Sequence, residues 1–322
     1  MNLRNAILTE EKAEVRKFLE KFSLGYDEDI DFTLYMEENK EIIGTISSSQ
    51  NIIKSFAVDP KYRGQIASVL ISEIINHLYK KGYSFYQVYT SPVNKEIFKA
   101  LNFYEIISSD KVTLLESKNR DIVRDLKRLK YRYKLDGENI GSIIMNCNPF
   151  TLGHRYLIEE ASKRHDLLIV FILEEDKSTF KYKDRFKMVE LGVKDLKNVK
   201  VVPSSSYLIS NFTFPTYFLK KEDSRINEQA TIDALIFEKY FIPIFKLKKR
   251  YLGSEEDFVT KQYNEVLKNR LGDFIEIIKR KEYNNEIISA SKVRKLINEG
   301  KFAEIVNLVP KTTYDYLKKI YE

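Results

Sequence analysis

Residues 140–159 constrain the fold of this chain more than any other segment. They read IGSIIMNCNPFTLGHRYLIE, an apolar run of strand length, a short turn that contains Gly153, and an amphipathic helical pattern. The N-terminus of a helix carries N–H groups without intrahelical partners and a partial positive charge. Gly153 lets the backbone approach a ligand closely, and His154 adds a donor that is neutral or charged near pH 7. The segment therefore predicts a phosphate-binding turn.

Length and composition limit the classes of protein to consider. The chain has 322 residues, enough for two domains, and its 21 Tyr and 20 Phe help to supply a core for each. It has no apolar run of membrane-spanning length and no signal-peptide core, so we expect a cytoplasmic protein without membrane association. A single Cys excludes an intramolecular disulfide. The net charge of +7 suits phosphate-bearing ligands, and we interpret it as a solvated Lys-rich surface rather than a nucleic-acid-binding one.

The first part of the chain mixes helical and strand periodicities. Apolar residues at helical spacing predict helices at residues 9–22 and 66–78. Alternating and continuous apolar runs predict strands at 32–36, 42–47 and 52–58. Later patterns predict a strand at 84–88, a short helix at 94–101 and strand-like residues at 104–115. We expect an α+β domain here.

A basic stretch separates this part from the next. Residues 117–134 are rich in Lys and Arg and carry apolar residues at helical spacing, which predicts an amphipathic linker helix. The sequence LDGEN at residues 135–139 breaks that pattern. We place a domain boundary here, with one domain at residues 1–134, linker helix included, and a second at residues 138–322.

The second part alternates continuous apolar strands with helices. Strands are predicted at 140–146, 167–173, 199–202, 250–252 and 274–278, and helices from about 154, at 182–194, at 232–241 and at 291–298. Such alternation predicts an α/β domain with a parallel sheet covered on both faces. Ligands of such sheets bind beyond the carboxyl ends of the strands. The turn at Gly153 and His154 belongs to that edge.

A second motif lies far downstream. Residues 288–294 read ISASKVR and come directly before a helical pattern. Together with Thr151-Leu152-Gly153-His154, they resemble the (H/T)xGH and ISxTxxR signatures of the HxGH nucleotidylyltransferase superfamily. Its members direct a nucleophile at the α-phosphate of ATP and release pyrophosphate. The resemblance implies a Rossmann-like parallel sheet, with ATP and Mg²⁺ as ligands.

The same resemblance assigns roles to individual residues. It implies catalytic roles for Thr151, His154 and Arg294, and nucleotide binding by Asn148, Phe150, Gly153, Gly253, Ser289, Ser291 and Lys292. His154 and the first helix N-terminus would meet the α-phosphate, and the second motif would hold the leaving pyrophosphate. An in-line displacement at phosphorus needs positioning and charge neutralisation more than covalent help. Mg²⁺ would be held mostly by the triphosphate, so no protein metal ligands are expected.

Each residue also has a structural interpretation. His154 fits a buried histidine at a helix start, Ser289 and Ser291 fit N-caps, and Lys292 fits a solvated side chain. Cys147 is interpreted as a small buried residue, because a nucleophilic thiolate needs an activating neighbour.

Other polar and aromatic residues are assigned structural roles. His77 and His165 are predicted to be structural. Asp184 and Arg185 are a structural helix-start pair or a phosphate contact, and we favour the former. Phe212, Phe214 and Tyr217 fill core or line an acyl pocket, and we favour core.

The resemblance extends over most of the second domain. Five stretches between residues 145 and 297, which begin MNCNPFTLGH, EEDKSTFKYK, SSSYLISNFT, YLGSEEDFVT and ISASKVRKLI, resemble the citrate lyase ligase family. In that family ATP and acetate give acetyl-adenylate and pyrophosphate. The acetyl group then passes to a thiol on the dephospho-coenzyme A-derived prosthetic group of the citrate lyase acyl-carrier subunit, which switches the lyase on. The resemblance implies an acid–thiol ligase with acetate and that carrier as partners.

The first domain resembles a second family. Residues 58–65 (VDPKYRGQ), before a helix, resemble the acetyl-coenzyme A loop of GNAT-type N-acetyltransferases, and residues 94–104 resemble their final helix and turn, with Asn102 in a Gly position. The usual loop reads R-G-x-G-x-G/A, whereas Arg63-Gly64-Gln65 continues one residue short without the second Gly. Because this makes a poorer phosphate cradle, we do not expect independent acetyltransferase activity. The domain either docks the carrier's prosthetic arm or is a structural remnant.

Two alternative functions stay open on the sequence alone. One is an adenylyltransferase that makes a nucleotide cofactor of the coenzyme A precursor or NAD type. The other is an acyl-coenzyme A binding module without turnover. The identity of the nucleophile distinguishes an adenylyltransferase from a ligase. The effect of replacing His154 distinguishes a binding module from either enzyme.

Overall fold

The computed structural model describes residues 1–208, 214, 217, 222–255, 257–280, 282–283 and 286–321. The chain divides into two compact units. The first comprises Met1–Ile122 and Phe214–Ile232, and the second comprises Val123–Thr213 and Asp233–Glu322. Phe212, predicted to be core, lies outside the described residues. The domain limits 1–134 and 138–322 stay a prediction, because compactness alone does not identify domains.

The first unit is built on a seven-stranded sheet and helices that pack on it. Its elements are β1 (Asn2–Asn5), α1 (Thr9–Glu20), β2 (Phe32–Glu38), β3 (Glu41–Ser49), β4 (Ile52–Val58), α2 (Arg63–Lys80), β5 (Gln87–Thr90), α3 (Lys95–Ala100), β6 (Phe103–Ser108) and β7 (Thr113–Ser117). The strand order is β1-β2-β3-β4-β5-β7-β6. The pairs are antiparallel except β4 and β5, which run parallel and pair at Ile52 with Gln87 and at Ile53 with Val88.

Apolar helix faces cover this sheet. Ile66, Leu70 and Ile74 of α2 are buried against it, and α1 packs Val15 and Leu19 into a separate cluster. The stretch predicted as one strand at 104–115 is instead the hairpin of β6 and β7, closed where the Ser109 N–H donates to the Val112 carbonyl. Strand β1 was not predicted because its four residues are all exposed and carry no apolar alternation.

The second unit has a five-stranded parallel sheet. Its strands are β8 (Ile140–Met145), β9 (Leu167–Ile172), β10 (Val199–Pro203), β11 (Leu247–Gly253) and β12 (Ile275–Ile278), in the order β10-β9-β8-β11-β12. All four neighbouring pairs run parallel. The order reverses direction between β8 and β11. That reversal creates a crevice at the carboxyl ends of these two strands, where doubly wound sheets bind their ligands.

Helices cover both faces of this sheet. On one face lie α5 (Leu152–Ser162), α6 (Tyr182–Gly192), α10 (Ala290–Asn298) and α11 (Lys311–Tyr321). On the other lie α8 (Ile242–Phe245), α9 (Phe258–Leu271) and the end of α7 (Glu222–Ile236), whose residues up to Ile232 belong to the first unit. Helix α4 (Ile122–Tyr133) precedes β8 in the chain, and β13 (Glu282–Tyr283) and β14 (Glu286–Ile287) form a small ladder. Leu168, Val170 and Ile172 of β9 join the cluster of α5, α6, α10 and α11, whereas Phe171 contacts Phe241 and Phe245 on the other face. A strand buried on both faces explains the continuous apolar run.

The predicted fold class is confirmed: an α+β unit precedes a Rossmann-like α/β unit with a parallel sheet. Helices α8, α9 and α11 were not predicted, and the helix predicted at 232–241 begins earlier, because α7 runs over Glu222–Ile236. Within the described residues, no helix has the length and apolar character needed to cross a membrane.

Candidate active site

The turn after β8 is held by its own polar groups. The Asn148 side-chain oxygen accepts the backbone N–H of Phe180 over 3.0 Å, which ties the turn to the segment before α6. Cys147 precedes it with φ 54° and is 1 % exposed. Burial raises the pKa of the Cys147 thiol, so the thiolate is disfavoured. This agrees with the interpretation of Cys147 as a structural residue.

The orientation of His154 is fixed by Thr151. Nδ1 of His154 accepts the backbone N–H of Thr151 over 3.1 Å, so in the neutral ring the proton lies on Nε2. The Thr151 hydroxyl lies 3.0 Å from the same Nδ1 and accepts the backbone N–H of His154 over 3.3 Å. Burial, with the nearby charge of Arg280, lowers the pKa of His154 to about 4. At neutral pH the ring is therefore an uncharged donor at Nε2.

Phe150 supports the imidazole from within the core. Its ring is completely buried and lies nearly parallel to that of His154, with centroids 6.1 Å apart. It also fills the space above Gly192 of α6, where a Cβ atom would lie 2.4 Å from the ring. Thus the side chain of Phe150 packs beneath the site rather than facing outward.

Helix α5 begins at this turn, and most of its first N–H groups have partners. The Leu152 N–H donates to the Leu308 carbonyl over 2.9 Å, and that of His154 goes to Thr151. In the described part of the chain, no hydrogen bond takes the Gly153 N–H. A Cβ atom on Gly153 would lie 3.0 Å from the carbonyl oxygen of Ile288. The helix therefore offers an external ligand the Gly153 N–H and His154 Nε2–H.

The second motif begins α10 and meets the first. Ser289 is the N-cap, and its hydroxyl accepts the backbone N–H of Lys292 over 3.2 Å. One Arg294 nitrogen donates to the Asn148 carbonyl over 2.5 Å, and the other donates to the Ser291 hydroxyl over 3.0 Å. The two motifs, more than 130 residues apart in sequence, are therefore in direct contact. Burial lowers the pKa of Arg294 without neutralising the guanidinium.

Sequence reasoning missed a further cation at this edge. Arg280 follows β12, donates through its guanidinium to Glu255 and through its backbone N–H to the Ser254 hydroxyl over 3.0 Å. Burial raises the pKa of Glu255, and Arg280 opposes that change. Gly253 ends β11, and a Cβ atom there would lie 3.8 Å from Arg280. The available signal was an Arg two residues after a predicted parallel strand, at the edge where ligands bind.

Arg185 is a structural residue. Its guanidinium is fully buried and donates to the carbonyls of Phe180, Asn146, Leu173 and Glu175 and to the Asn146 side chain. Asp184 accepts the Tyr316 hydroxyl over 2.9 Å. These bonds link the strand ends to α6, as the favoured interpretation of this pair expected.

His165 is structural as well. Its two ring nitrogens lie 2.8 Å from the Asn139 side-chain oxygen and 2.8 Å from the Tyr251 hydroxyl. The ring covers Gly141, where a Cβ atom would lie 2.4 Å from it. His77, in the first unit, stacks on Phe32.

The aromatic residues after β10 pack in the first unit. Tyr217 is 3 % exposed and donates its hydroxyl to the Tyr89 carbonyl over 2.5 Å. Phe214 is equally buried and contacts the ring of Tyr89 edge to face. The predicted core positions of Phe214 and Tyr217 are confirmed.

The loop before α2 also takes a defined form. Helix α2 begins at Arg63 itself, whose guanidinium donates to the Asn94 side chain. Asn94 in turn donates to the Thr90 hydroxyl over 2.9 Å. A Cβ atom on Gly64 would have no neighbour within 4 Å, so the helix start is open there.

A parallel doubly wound sheet, with a His at a helix N-terminus beside its switch point and an Arg that joins a second helix start to it, defines an α/β protein with a candidate ligand site at the carboxyl edge of the sheet. A family model described as the citrate lyase ligase C-terminal domain matches residues 140–317, and one described as the acetyltransferase (GNAT) family matches residues 2–106. The chain belongs to the citrate lyase ligase family, and it is a ligase. The predicted family is thereby confirmed.

Individual relatives give the extent of the similarity. The chain is 36 % identical to citrate pro-3S-lyase ligase of Haemophilus influenzae, with 97 % of each chain covered. It is 33 % identical to the corresponding ligase of Klebsiella pneumoniae over 96 % of this chain and 93 % of that one. A shorter match, 38 % identical over 81 residues, is to phosphopantetheine adenylyltransferase of Clostridium kluyveri and covers 24 % of this chain and 45 % of that one.

Proposed function

We propose that this ligase activates acetate with ATP and transfers the acetyl group to the prosthetic-group thiol of the citrate lyase acyl-carrier subunit. The observation that carries the proposal is the contact of Arg294 with the Asn148 carbonyl, which brings the second motif to the turn that leads into Thr151 and His154. The names of two relatives matched over nearly their full length support citrate lyase as the target of the ligase. The proposed location is the cytoplasm, where ATP is available.

In the first step an acetate oxygen attacks the α-phosphorus. A bond forms between that oxygen and phosphorus, the bond to the bridging oxygen breaks, and pyrophosphate leaves with its electron pair. The Gly153 N–H and His154 Nε2–H donate to α-phosphate oxygens as negative charge grows there. Because the pKa of His154 is about 4, it donates as a neutral group and no proton transfer is needed. Thr151 acts by holding the ring.

The second motif takes the leaving group. Arg294 and Lys292 neutralise the β- and γ-phosphates, and the hydroxyls of Ser289 and Ser291 keep the helix start and the Arg294 fork in place. Gly253 lets the adenosine approach the end of β11. Asn148 and Phe150 contribute through the turn they support. In this proposal, backbone and cationic groups bind the nucleotide, and the reaction needs no covalent intermediate on the protein.

Mg²⁺ enters the proposal as a companion of ATP. Among the described residues, no group of three or more His, Cys, Asp or Glu side chains is arranged to hold a metal ion. We propose that the triphosphate carries the ion and that the ion neutralises part of the phosphate charge. Arg294 and Lys292 would contact the phosphate oxygens that the ion leaves available.

In the second step the carrier thiol attacks the carbonyl carbon of acetyl-adenylate. The carbon–sulfur bond forms, the bond to the phosphate oxygen breaks, AMP leaves, and the thiol proton passes to solvent. Acetate is already a carboxylate at neutral pH, and the carrier thiol is partly ionised, so neither nucleophile needs a strong base on the protein. Positioning of the two reactants is the task left to the protein.

Isotope exchange between ATP and pyrophosphate tests the first step. With acetate present, the enzyme should exchange label without any carrier, and exchange should fall across a panel of longer carboxylic acids. Adenylate formation would be refuted if exchange occurs without any carboxylic acid. It would also be refuted if no carboxylic acid supports exchange.

A second candidate function is transfer of the adenylyl group to a phosphorylated cofactor precursor. The match to phosphopantetheine adenylyltransferase favours it, although that match covers a quarter of the chain. Product analysis separates the candidates. Pyrophosphate release that depends on phosphopantetheine and yields dephospho-coenzyme A supports the alternative, whereas acetate-dependent release supports the ligase.

For the first domain, proposed at residues 1–134, we infer a role in docking the carrier's prosthetic arm. The open helix start at Gly64, with Arg63 beside it, supports this inference. Titration with dephospho-coenzyme A should show binding that Arg63→Glu weakens. Absence of binding, with ligation unchanged by Arg63→Glu, would leave the domain a structural remnant.

A further inference from the structure

Helix α4 presents a basic stripe to solvent. Arg124, Lys127, Arg128, Tyr131 and Arg132 recur at helical spacing i, i+3, i+4, i+7 and i+8, so they share one face, and all five are exposed. We call these five residues the α4 stripe. The opposite face is apolar, with Ile122 and Leu126 buried. The helix therefore buries one side and offers the other, about 18 Å long, to a partner.

The α4 stripe is strongly basic and carries one exposed aromatic side chain. It holds four cations and one aromatic ring but no carboxylate; the nearest acidic residue of the helix, Asp125, is half-buried and lies 3.9 Å from Arg124. Tyr131, 87 % exposed, is the most exposed large hydrophobic side chain among the described residues. Arg and Tyr are the residue types that contribute most to binding energy at interfaces. A surface of this kind is complementary to an acidic protein face.

The stripe ends near the catalytic edge of its unit. Burial and Glu174 raise the pKa of the Tyr182 phenol, and Tyr133 and Arg132 also act on it, so the last turn of α4 lies near the start of α6. Helix α6 begins after the loop that leaves the carboxyl end of β9. In the same loop, Phe180 donates its N–H to Asn148 of the candidate site. A partner on the stripe would therefore dock on the unit that carries the candidate site, near a helix that begins one loop away from Asn148.

We propose that the α4 stripe docks an acidic face of the thiol-bearing carrier protein, with Tyr131 as its aromatic anchor. This inference rests on the proposed function for the identity of the partner, since it assigns a docking surface to that reaction. Exposed cations steer an acidic partner and raise the association rate, and this effect weakens with added salt. The stripe should therefore govern carrier binding without affecting adenylate formation.

The test compares charge reversals of equal size on the full-length protein. The variant is Lys127→Glu with Arg128→Glu, and the matched control is Lys12→Glu with Lys319→Glu, two exposed lysines on α1 and α11. Purified carrier subunit is the probe, and its Kd is measured by titration at low and high salt. Acetate-dependent exchange between ATP and pyrophosphate is measured on the same samples. Thermal unfolding, and the neutral variant Lys127→Gln with Arg128→Gln, check that any loss is not misfolding.

The stripe variant should weaken carrier binding roughly 10–100-fold and flatten its salt dependence. Its exchange rate should stay within about twofold of the wild type, because no residue of the stripe enters the proposed chemistry. Tyr131→Ser should weaken carrier binding roughly tenfold. Carrier binding unchanged by the reversal, or weakened equally in the control, would overturn the docking surface. If the wild type shows no acetate-dependent exchange, the proposed function is refuted. The carrier-binding titrations would then still show whether the α4 stripe is a docking surface.

Discussion

The backbone N–H of Thr151 donates to Nδ1 of His154 over 3.1 Å. This bond leaves the proton of the neutral imidazole on Nε2, the nitrogen that is free to face a ligand. The residue before the helix therefore determines which donor the site presents. A substitution at either residue changes the orientation of that donor as well as its presence.

The pKa of His154 makes stability depend on pH. The folded value, about 4, is below the unfolded value of 6.5, so between these values the unfolded state binds a proton that the folded state does not. The contribution is fully present above about pH 6.5 and is lost as pH falls toward 4. Allowing for partial exposure, we expect a loss on the order of 2 kcal/mol.

Denaturant unfolding from pH 7 to pH 4 measures this dependence. The free energy of unfolding should fall more steeply for the wild type than for His154→Gln, which keeps an acceptor for the Thr151 N–H. His77 and His165 are present in both proteins, so the difference between the two curves isolates His154. Parallel curves would contradict the assignment of a lowered pKa.

Gly153→Ala should damage the site through crowding. The new Cβ atom would lie 3.0 Å from the Ile288 carbonyl, so the start of α5 and the segment before α10 must move apart. We expect about 1 kcal/mol lost in unfolding free energy and at least a tenfold loss of ATP–pyrophosphate exchange.

Gly64→Ala, where the Cβ atom meets nothing within 4 Å, is the matched control. It should stabilise by up to about 1 kcal/mol through helix propensity and leave exchange unchanged. Equal effects of the two substitutions would show that crowding at Ile288 is not the cause.

Arg294→Lys should separate charge from geometry. Lys keeps the cation but cannot reach both the Asn148 carbonyl and the Ser291 hydroxyl as the guanidinium does. We expect about a hundredfold loss of exchange with a raised KM for ATP, and about 1–3 kcal/mol less unfolding free energy. Steady-state exchange over a range of ATP concentrations measures the KM and the maximal rate of the variant. If both equal the wild-type values, Arg294 has no role at the phosphates.

Cys147→Ala should leave exchange within about twofold of the wild type. The thiol is buried and its pKa is raised by that burial, so it is neither accessible nor ionised. Reaction of the native protein with iodoacetamide should correspondingly be slow until it unfolds. Rapid alkylation accompanied by loss of exchange would point to a covalent intermediate instead.

Local signals in the sequence were enough to predict the framework of the site. Strand β8 and the starts of α5 and α10 were each predicted to within a few residues, because a buried apolar run and local helix signals are short-range. Ser289 was expected as an N-cap, whereas the N-cap role of Thr151 was not predicted. The resemblance to known signatures then linked the two helix starts, a relationship that no local pattern contains.

Long-range contacts were beyond the sequence. Nothing in the pattern shows that Leu308 takes the N–H of Leu152, or that the charge of Arg280 lies near His154. These relations depend on packing between elements remote in sequence. Helix α9 was missed because Thr, Asn and Gln interrupt its apolar face, so that it buries only Asn264 and Leu267 fully.

Acetate-dependent exchange of label between pyrophosphate and ATP, measured without carrier for the wild type and His154→Ala, tests the central claim most directly. The account predicts exchange by the wild type that requires acetate, and a loss of about 10²–10³-fold in His154→Ala with the unfolding transition largely retained. Full exchange activity in a folded His154→Ala variant would contradict it.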